Sequence, residues 1–217
     1  MIKRLLPAAI LVMGLLYIFV LHELILFKLI PMCLILIYAY LHAPAAKSKY
    51  DSLTISGLFF CMLGDGLLQW FIIGLTAFLV GHLFYLSAFS TRWKFSTIRI
   101  SVLIPLICYA GFMGWQLYQG LESSGKTTLE APVLLYLIAI MLMGFFAVMS
   151  GSLMASCGAL LFLASDSILS WNMFISAVPY SSILIMTTYY AAQFLIASSI
   201  RSKRHTRSGM ENEVLQV

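Results

Sequence analysis

Apolar residues run in long blocks along this chain, broken at intervals by short clusters of lysine, arginine, serine, glycine and proline. Read as helices, the blocks number about eight, at roughly 5–21, 25–42, 53–69, 71–90, 100–118, 132–149, 152–170 and 177–200. An apolar helix of about twenty residues crosses the hydrocarbon core of a bilayer, because its backbone groups satisfy one another internally. Only Trp70 separates the third block from the fourth, and little more than Ser150 and Gly151 separates the sixth from the seventh, so each pair is expected as an antiparallel hairpin. The pattern predicts an all-α polytopic membrane protein with eight transmembrane helices around an interior polar cavity. A single membrane domain spans 1–200, and 201–217 is expected to be a basic, disordered cytoplasmic tail.

Composition strengthens this reading. Of 217 residues 62% are hydrophobic and 10% charged, too few polar side chains to coat a water-soluble domain of this size. The net charge of +5 would suit a nucleic acid if the basic residues formed one patch, but they lie scattered at block ends, so no nucleic-acid partner is expected. Their placement carries topology instead. Lys3 and Arg4, Lys47 and Lys49, Arg92, Lys94 and Arg99, and Arg201, Lys203, Arg204 and Arg207 all fall at alternate breaks, whereas Lys126 is alone on the opposite side beside Glu122 and Glu130. Cytoplasmic loops carry the excess of lysine and arginine, which predicts both termini in the cytoplasm. Lys3 and Arg4 before an apolar run have the form of a signal peptide, yet no small-residue cleavage site follows before His22 and Glu23, so the run is read as a first membrane helix. Cys33, Cys61, Cys108 and Cys157 show no CxxC and no paired spacing; they are expected to be buried free thiols.

Against this background the ionisable residues inside the blocks stand out. In the third block Gly57, Cys61, Gly64, Asp65 and Leu68 share one helix face, in the fourth Gly74, Phe78, Gly81, His82 and Tyr85, and in the seventh Gly158, Phe162, Ser165, Asp166 and Leu169. Small residues let membrane helices approach closely, so these stripes are expected to face one another and gather Asp65, His82 and Asp166 around a cavity. Lys28 from the second block and Tyr189, Tyr190 and Gln193 from the eighth can join them. Ser56–Leu68 echoes Cys157–Leu169, with glycine and aspartate at the same interval, which would fit a parallel four-plus-four duplication. Tyr17, Tyr38, Tyr40 and Trp115 read as packing or interfacial anchors, and Met141 and Met143 as core or lipid-facing.

A carboxylate or lysine at the bilayer centre costs about 2.5–3.5 kcal/mol on insertion scales, which points to function or pairing. If two aspartates are close, one stays protonated while Lys28 or His82 keeps the other ionised, giving a general acid and a stabilising anion. Three other readings remain: the aspartates are neutralised by Lys28 and His82 as packing glue, the charges serve a small transporter or lipid-binding protein, or zinc supports amide hydrolysis. The last would need several intramembrane histidines, and only His82 is well inside, with His22 and His42 at edges and His205 in the tail. No GxSxG, HExxH or glycine-rich phosphate loop occurs, and no cofactor or metal is expected.

LGD at Leu63–Asp65, GLxAFxxGHxxY from Gly74 to Tyr85, GAxLFxxSD from Gly158 to Asp166 and TYYAAQFLI from Thr188 to Ile196, with Lys28 and Pro31, together resemble the YhhN-type transmembrane family. IMTTYYAAQ from Ile185 to Gln193 is similar to its animal members, which are lysoplasmalogenases. The resemblance covers the second to eighth helices in order. It implies hydrolysis of the vinyl ether bond of lysoplasmalogen to a fatty aldehyde and glycerophosphocholine or glycerophosphoethanolamine, in the endoplasmic reticulum membrane. On that basis Asp65 and Asp166 are the acid and the anion or water-activating base, in an order left open. His82 orients a carboxylate or relays the proton, Tyr190 and Gln193 position the water or the ether oxygen, and Lys28 binds the phosphate or tunes an aspartate. Tyr85, Tyr189 and Ser165 complete the substrate-binding set. Association as a homodimer is left open.

Overall fold

Helix starts and stops follow local chemistry at several breaks. Ser48 accepts a hydrogen bond from the Asp51 amide while the Asp51 carboxylate accepts from the Ser48 amide at 2.9 Å, a reciprocal cap that starts a helix four residues before the apolar block does. Ser152 caps the next hairpin by accepting from the Ala155 amide, directly after Gly151 turns the chain at φ +71°, a left-handed conformation that suits glycine. In the computed structural model, which describes residues 2–21 and 24–200, the helices are α1 (Ile2–Phe19), α2 (Ile25–His42), α3 (Lys49–Leu67), α4 (Phe71–Ser90), the short α5 (Thr97–Ile100), α6 (Leu103–Ser123), α7 (Glu130–Met149), α8 (Leu153–Phe174) and α9 (Ser181–Ser198), with one 3₁₀ turn at Thr127–Leu129. The basic tail, His22, Glu23 and His205 lie outside the described residues.

Eight of these helices have 18 residues or more. Among the described residues four stretches are long and apolar enough to cross a membrane: Phe71–Ser90, Thr97–Ser123, Thr127–Met149 and Leu153–Phe174. Their outer faces carry large apolar side chains such as Ile104, Phe112, Trp115, Ile138 and Leu160. Such a surface suits lipid, and the chain is a multi-pass membrane protein. Helix boundaries differ from the sequence expectation mainly where polar residues extend a helix past its apolar block. Thus α6 continues to Ser123 and α8 to Phe174, whereas α9 starts only after Pro179 and Tyr180.

Packing follows the small residues. A methyl group on Gly64 would stand 2.6 Å from the Phe78 ring, and one on Gly81 2.8 Å from Cys61 Sγ, so α3 and α4 meet closely along their stripes. The α8 stripe turns mainly to α9 instead, where a methyl on Gly158 would lie 2.9 Å from the Ala192 carbonyl oxygen. It still reaches α4 through Phe162, whose ring centroid is 4.7 Å from that of His82. The order of neighbours repeats: α1 on α2, α2 on α3 and α3 on α4 correspond to α6 on α7, α7 on α8 and α8 on α9, and the cross-contact of α4 with α7 corresponds to that of α9 with α2. Asp65 on α3 and Asp166 on α8 occupy equivalent helices in this arrangement.

Arg92 binds one end of the bundle together. Its guanidinium lies 3.3 Å above the Tyr50 ring, donates to the Ser199 carbonyl at 3.0 Å and stands 3.9 Å from Asp51. One expectation needs correction. Cys61 is buried, but Cys33, Cys108 and Cys157 are exposed, because each lies on an outward helix face where a small apolar thiol meets lipid as readily as core. Of the residues read as packing or interfacial anchors, Tyr17 and Tyr38 are buried, Tyr17 at the cavity described next, and Tyr40 and Trp115 are exposed.

Candidate active site

Lys28 lies in the first turn of α2 and Asp65 near the end of α3, so adjacent helices bring them together at the bundle end opposite Arg92. Lys28 Nζ is 3.0 Å from Asp65 Oδ1, and the Tyr189 hydroxyl of α9 donates to Asp65 Oδ2 at 2.6 Å. Asp65 is 3% exposed, and each of its oxygens has a partner. A buried carboxylate needs such compensation, since breaking a buried ion pair leaves an unsolvated charge. Tyr190, the next residue of α9, donates to the Lys28 backbone carbonyl at 2.8 Å and fixes the start of α2.

Asp166 is held differently. The Tyr136 hydroxyl of α7 donates to its Oδ2. Among the described residues no cation lies within ion-pair distance of Asp166 and no hydrogen bond reaches its Oδ1. Both aspartates line one cavity of about 270 Å³, together with Lys28, Tyr189, Tyr17 and Ser165. Asn172 near the end of α8 and Ser181 and Ser182 at the start of α9 also border it. Ser165 spends its hydroxyl on the Ile185 carbonyl at 3.0 Å, tying α8 to α9.

His82, Tyr85 and Gln193 form a separate buried layer behind the cavity, and with Tyr190 they are not among its lining residues. Tyr85 donates to Gln193 Oε1 at 2.6 Å. Among the described residues neither ring nitrogen of His82 has a hydrogen-bond partner. The ring stands edge-on to Tyr136 at 5.1 Å between centroids, so His82 touches the partner of Asp166 rather than a carboxylate. Gln193 Nε2 likewise has no hydrogen-bond partner among the described residues. Buried polar atoms without partners cost about 1–3 kcal/mol each and need explaining.

The structure therefore brings Lys28, Asp65, Asp166, Ser165 and Tyr189 to one cavity and keeps His82, Tyr85, Tyr190 and Gln193 one layer away. Sequence reasoning missed Tyr136 and Tyr17 as neighbours of this cavity. Tyr136 is a lone hydroxyl in an apolar block, and only its position on α7 opposite Asp166 marks it. Among the described residues no group of three or more histidine, cysteine, aspartate or glutamate side chains is placed to hold a metal ion.

The model of the YhhN family matches residues 23–200. This chain belongs to the YhhN family. Within the family it is 33% identical over 183 residues to the lysoplasmalogenase TMEM86B of Mus musculus, covering 82% of this chain and 75% of that protein. It is 34% identical over 208 residues to the lysoplasmalogenase TMEM86A of Homo sapiens, covering 82% and 78% of the two chains. It is 31% identical to TMEM86A of Bos taurus, also named a lysoplasmalogenase, over 82% and 78%. No solved structure matches the chain.

Proposed function

We propose that this YhhN-family protein is a lysoplasmalogenase, an ether hydrolase that cleaves the vinyl ether bond of a lysoplasmalogen. The reading adds eight membrane spans, both termini in the cytoplasm and residence in the endoplasmic reticulum membrane. The observation that carries the catalytic part is the joint cavity: two aspartates from equivalent helices line it, one ion-paired and one not.

Acid cleavage of a vinyl ether begins when the outer alkene carbon accepts a proton. The oxocarbenium ion that results is trapped by water as a hemiacetal, which collapses to aldehyde and alcohol. The chemistry asks for a proton donor, a fixed anion facing the developing cation and one admitted water. Asp65 and Asp166 supply the acid and the anion, and a low-dielectric enclosure strengthens the anion's effect on a cationic transition state. By analogy, carboxylate pairs handle a similar cation in glycosidases. Lys28 keeps one carboxylate charged and presents a cation toward a lipid phosphate. A single-chain substrate enters sideways from the bilayer, where its tail already lies.

Purified protein is incubated with a lysoplasmalogen and with its saturated ether counterpart, and fatty aldehyde is measured. Aldehyde from the first alone is the expected result. Absence of aldehyde from both, with the lipid still bound or moved, would replace the enzyme with a lipid carrier built on the same charges.

A further inference from the structure

The two aspartates stand in different surroundings. Asp65 faces the polar cavity with Oδ1 against Lys28 and Oδ2 accepting from Tyr189, an arrangement that suits a carboxylate and leaves neither oxygen to carry a transferable proton. Asp166 belongs to the wall between two spaces. One is the polar cavity. The other is an apolar pocket among α4, α6, α7 and α8, lined by residues that include Leu75, Met113, Leu137 and Ile140. Leu68, Phe78, Asp166 and Leu169 line both spaces and mark the shared border, here termed the neck, at which the two adjoin.

Resting on the function proposed above, we propose that Asp166 is the proton donor, with Tyr136 as its positioning residue and Asp65, ion-paired to Lys28, as the fixed anion. The vinyl ether lies across the neck, with the polar headgroup in the cavity and the first carbons of the alkenyl chain in the apolar pocket.

Three observations support this division. Tyr136 donates to Asp166 Oδ2, so the proton of a neutral Asp166 sits on Oδ1, the oxygen that no described residue engages. An apolar wall without a cation favours the neutral acid, whereas the pair at Asp65 favours charge. And the neck is where a molecule with one polar and one apolar end must place the bond that joins them.

The steps balance. The Asp166 Oδ1–H bond breaks as its proton forms a C–H bond with the outer alkene carbon, the π pair supplying the electrons, and a lone pair of the ether oxygen completes the oxocarbenium ion. Water adds to the oxocarbenium carbon and gives a proton to Asp166, which restores the acid. The hemiacetal loses its hydroxyl proton as the bond to the glycerol oxygen breaks, and that oxygen takes up a proton. One water is consumed, and one aldehyde and one alcohol form.

The test compares Asp166→Gly, Asp65→Gly and Tyr136→Phe with the unsubstituted full chain in detergent, each checked for a cooperative thermal melt. Asp166→Gly loses roughly 10²- to 10⁴-fold in rate, the usual contribution of a positioned acid, and Asp65→Gly roughly 10²- to 10³-fold, that of a fixed electrostatic group. Formic acid, small enough to enter the space left, restores aldehyde release to Asp166→Gly in proportion to its concentration and does not restore Asp65→Gly. Tyr136→Phe keeps its ring beside His82, and kcat falls about tenfold while KM holds, a split that loss of packing alone would not give. In D₂O one deuterium appears on the carbon next to the aldehyde. Rescue of Asp65→Gly in place of Asp166→Gly, no rescue of a folded Asp166→Gly, or full activity without Asp166 overturns the assignment. Should Asp166→Gly fail to fold, Asp166→Asn replaces it and is expected to be inactive; full activity in that variant is equally fatal. No aldehyde from the unsubstituted chain removes the enzymatic function itself, and the donor with it.

Discussion

Replacing Lys28 by methionine removes one charge and keeps most of the apolar stem, so it isolates the ion pair with Asp65. At the observed 3.0 Å separation, Coulomb attraction at an effective dielectric near 20 is about 5–6 kcal/mol, against which the desolvation of both groups must be set. Asp65 is 3% exposed and the Lys28 side chain 14%, so the carboxylate cannot recover water when its partner goes. Breaking such a pair costs about 3–5 kcal/mol, and some solvent access at Lys28 puts the expectation near 3 kcal/mol. The double variant Lys28→Met/Asp65→Leu removes both charges and is expected to recover most of that loss. Equilibrium unfolding in mixed micelles, read by circular dichroism for the single and double variants, gives the coupling directly. A cost below about 1 kcal/mol for Lys28→Met, or strictly additive costs in the double variant, would refute the view that the pair is a buried, mutually compensated one.

Glycine substitutions should differ by what the new methyl meets. Gly158→Ala runs into backbone atoms of α9, the Ala192 carbonyl oxygen at 2.9 Å and the Ile196 nitrogen at 3.0 Å, and should cost about 3 kcal/mol, whereas Gly64→Ala meets only the movable Phe78 ring and should cost about 1 kcal/mol in the same unfolding assay. Tyr180 holds φ +56° and the residue is 79% exposed, so Tyr180→Gly should raise stability by up to about 1 kcal/mol and Tyr180→Val should lower it. Leu137→Trp fills the apolar pocket beside Asp166; kcat/KM for a long-chain lysoplasmalogen should fall about tenfold while a short-chain analogue keeps its rate, as measured by aldehyde release.

The sequence by itself determined the helices, their order and the costly polar groups within them. A run of about twenty apolar side chains between polar breaks permits little else, and a lysine or aspartate in such a run is visible without any structure. The α3–α4 hairpin was legible in the same way, since only Trp70 intervenes and matching small residues line both faces. Partner choice was not legible. Lys28 has Asp65 beside it rather than Asp166 because α2 packs on α3, and Asp166 receives Tyr136 because α7 occupies the corresponding place against α8. His82 shares a helix face with Phe78 and Tyr85, and periodicity alone could not tell that this face ends in an aromatic layer behind the cavity. Spacing along a helix fixes which side chains share a face, but it is the lateral order of helices that decides what each face meets, and that order is set by packing of distant segments which one sequence does not display.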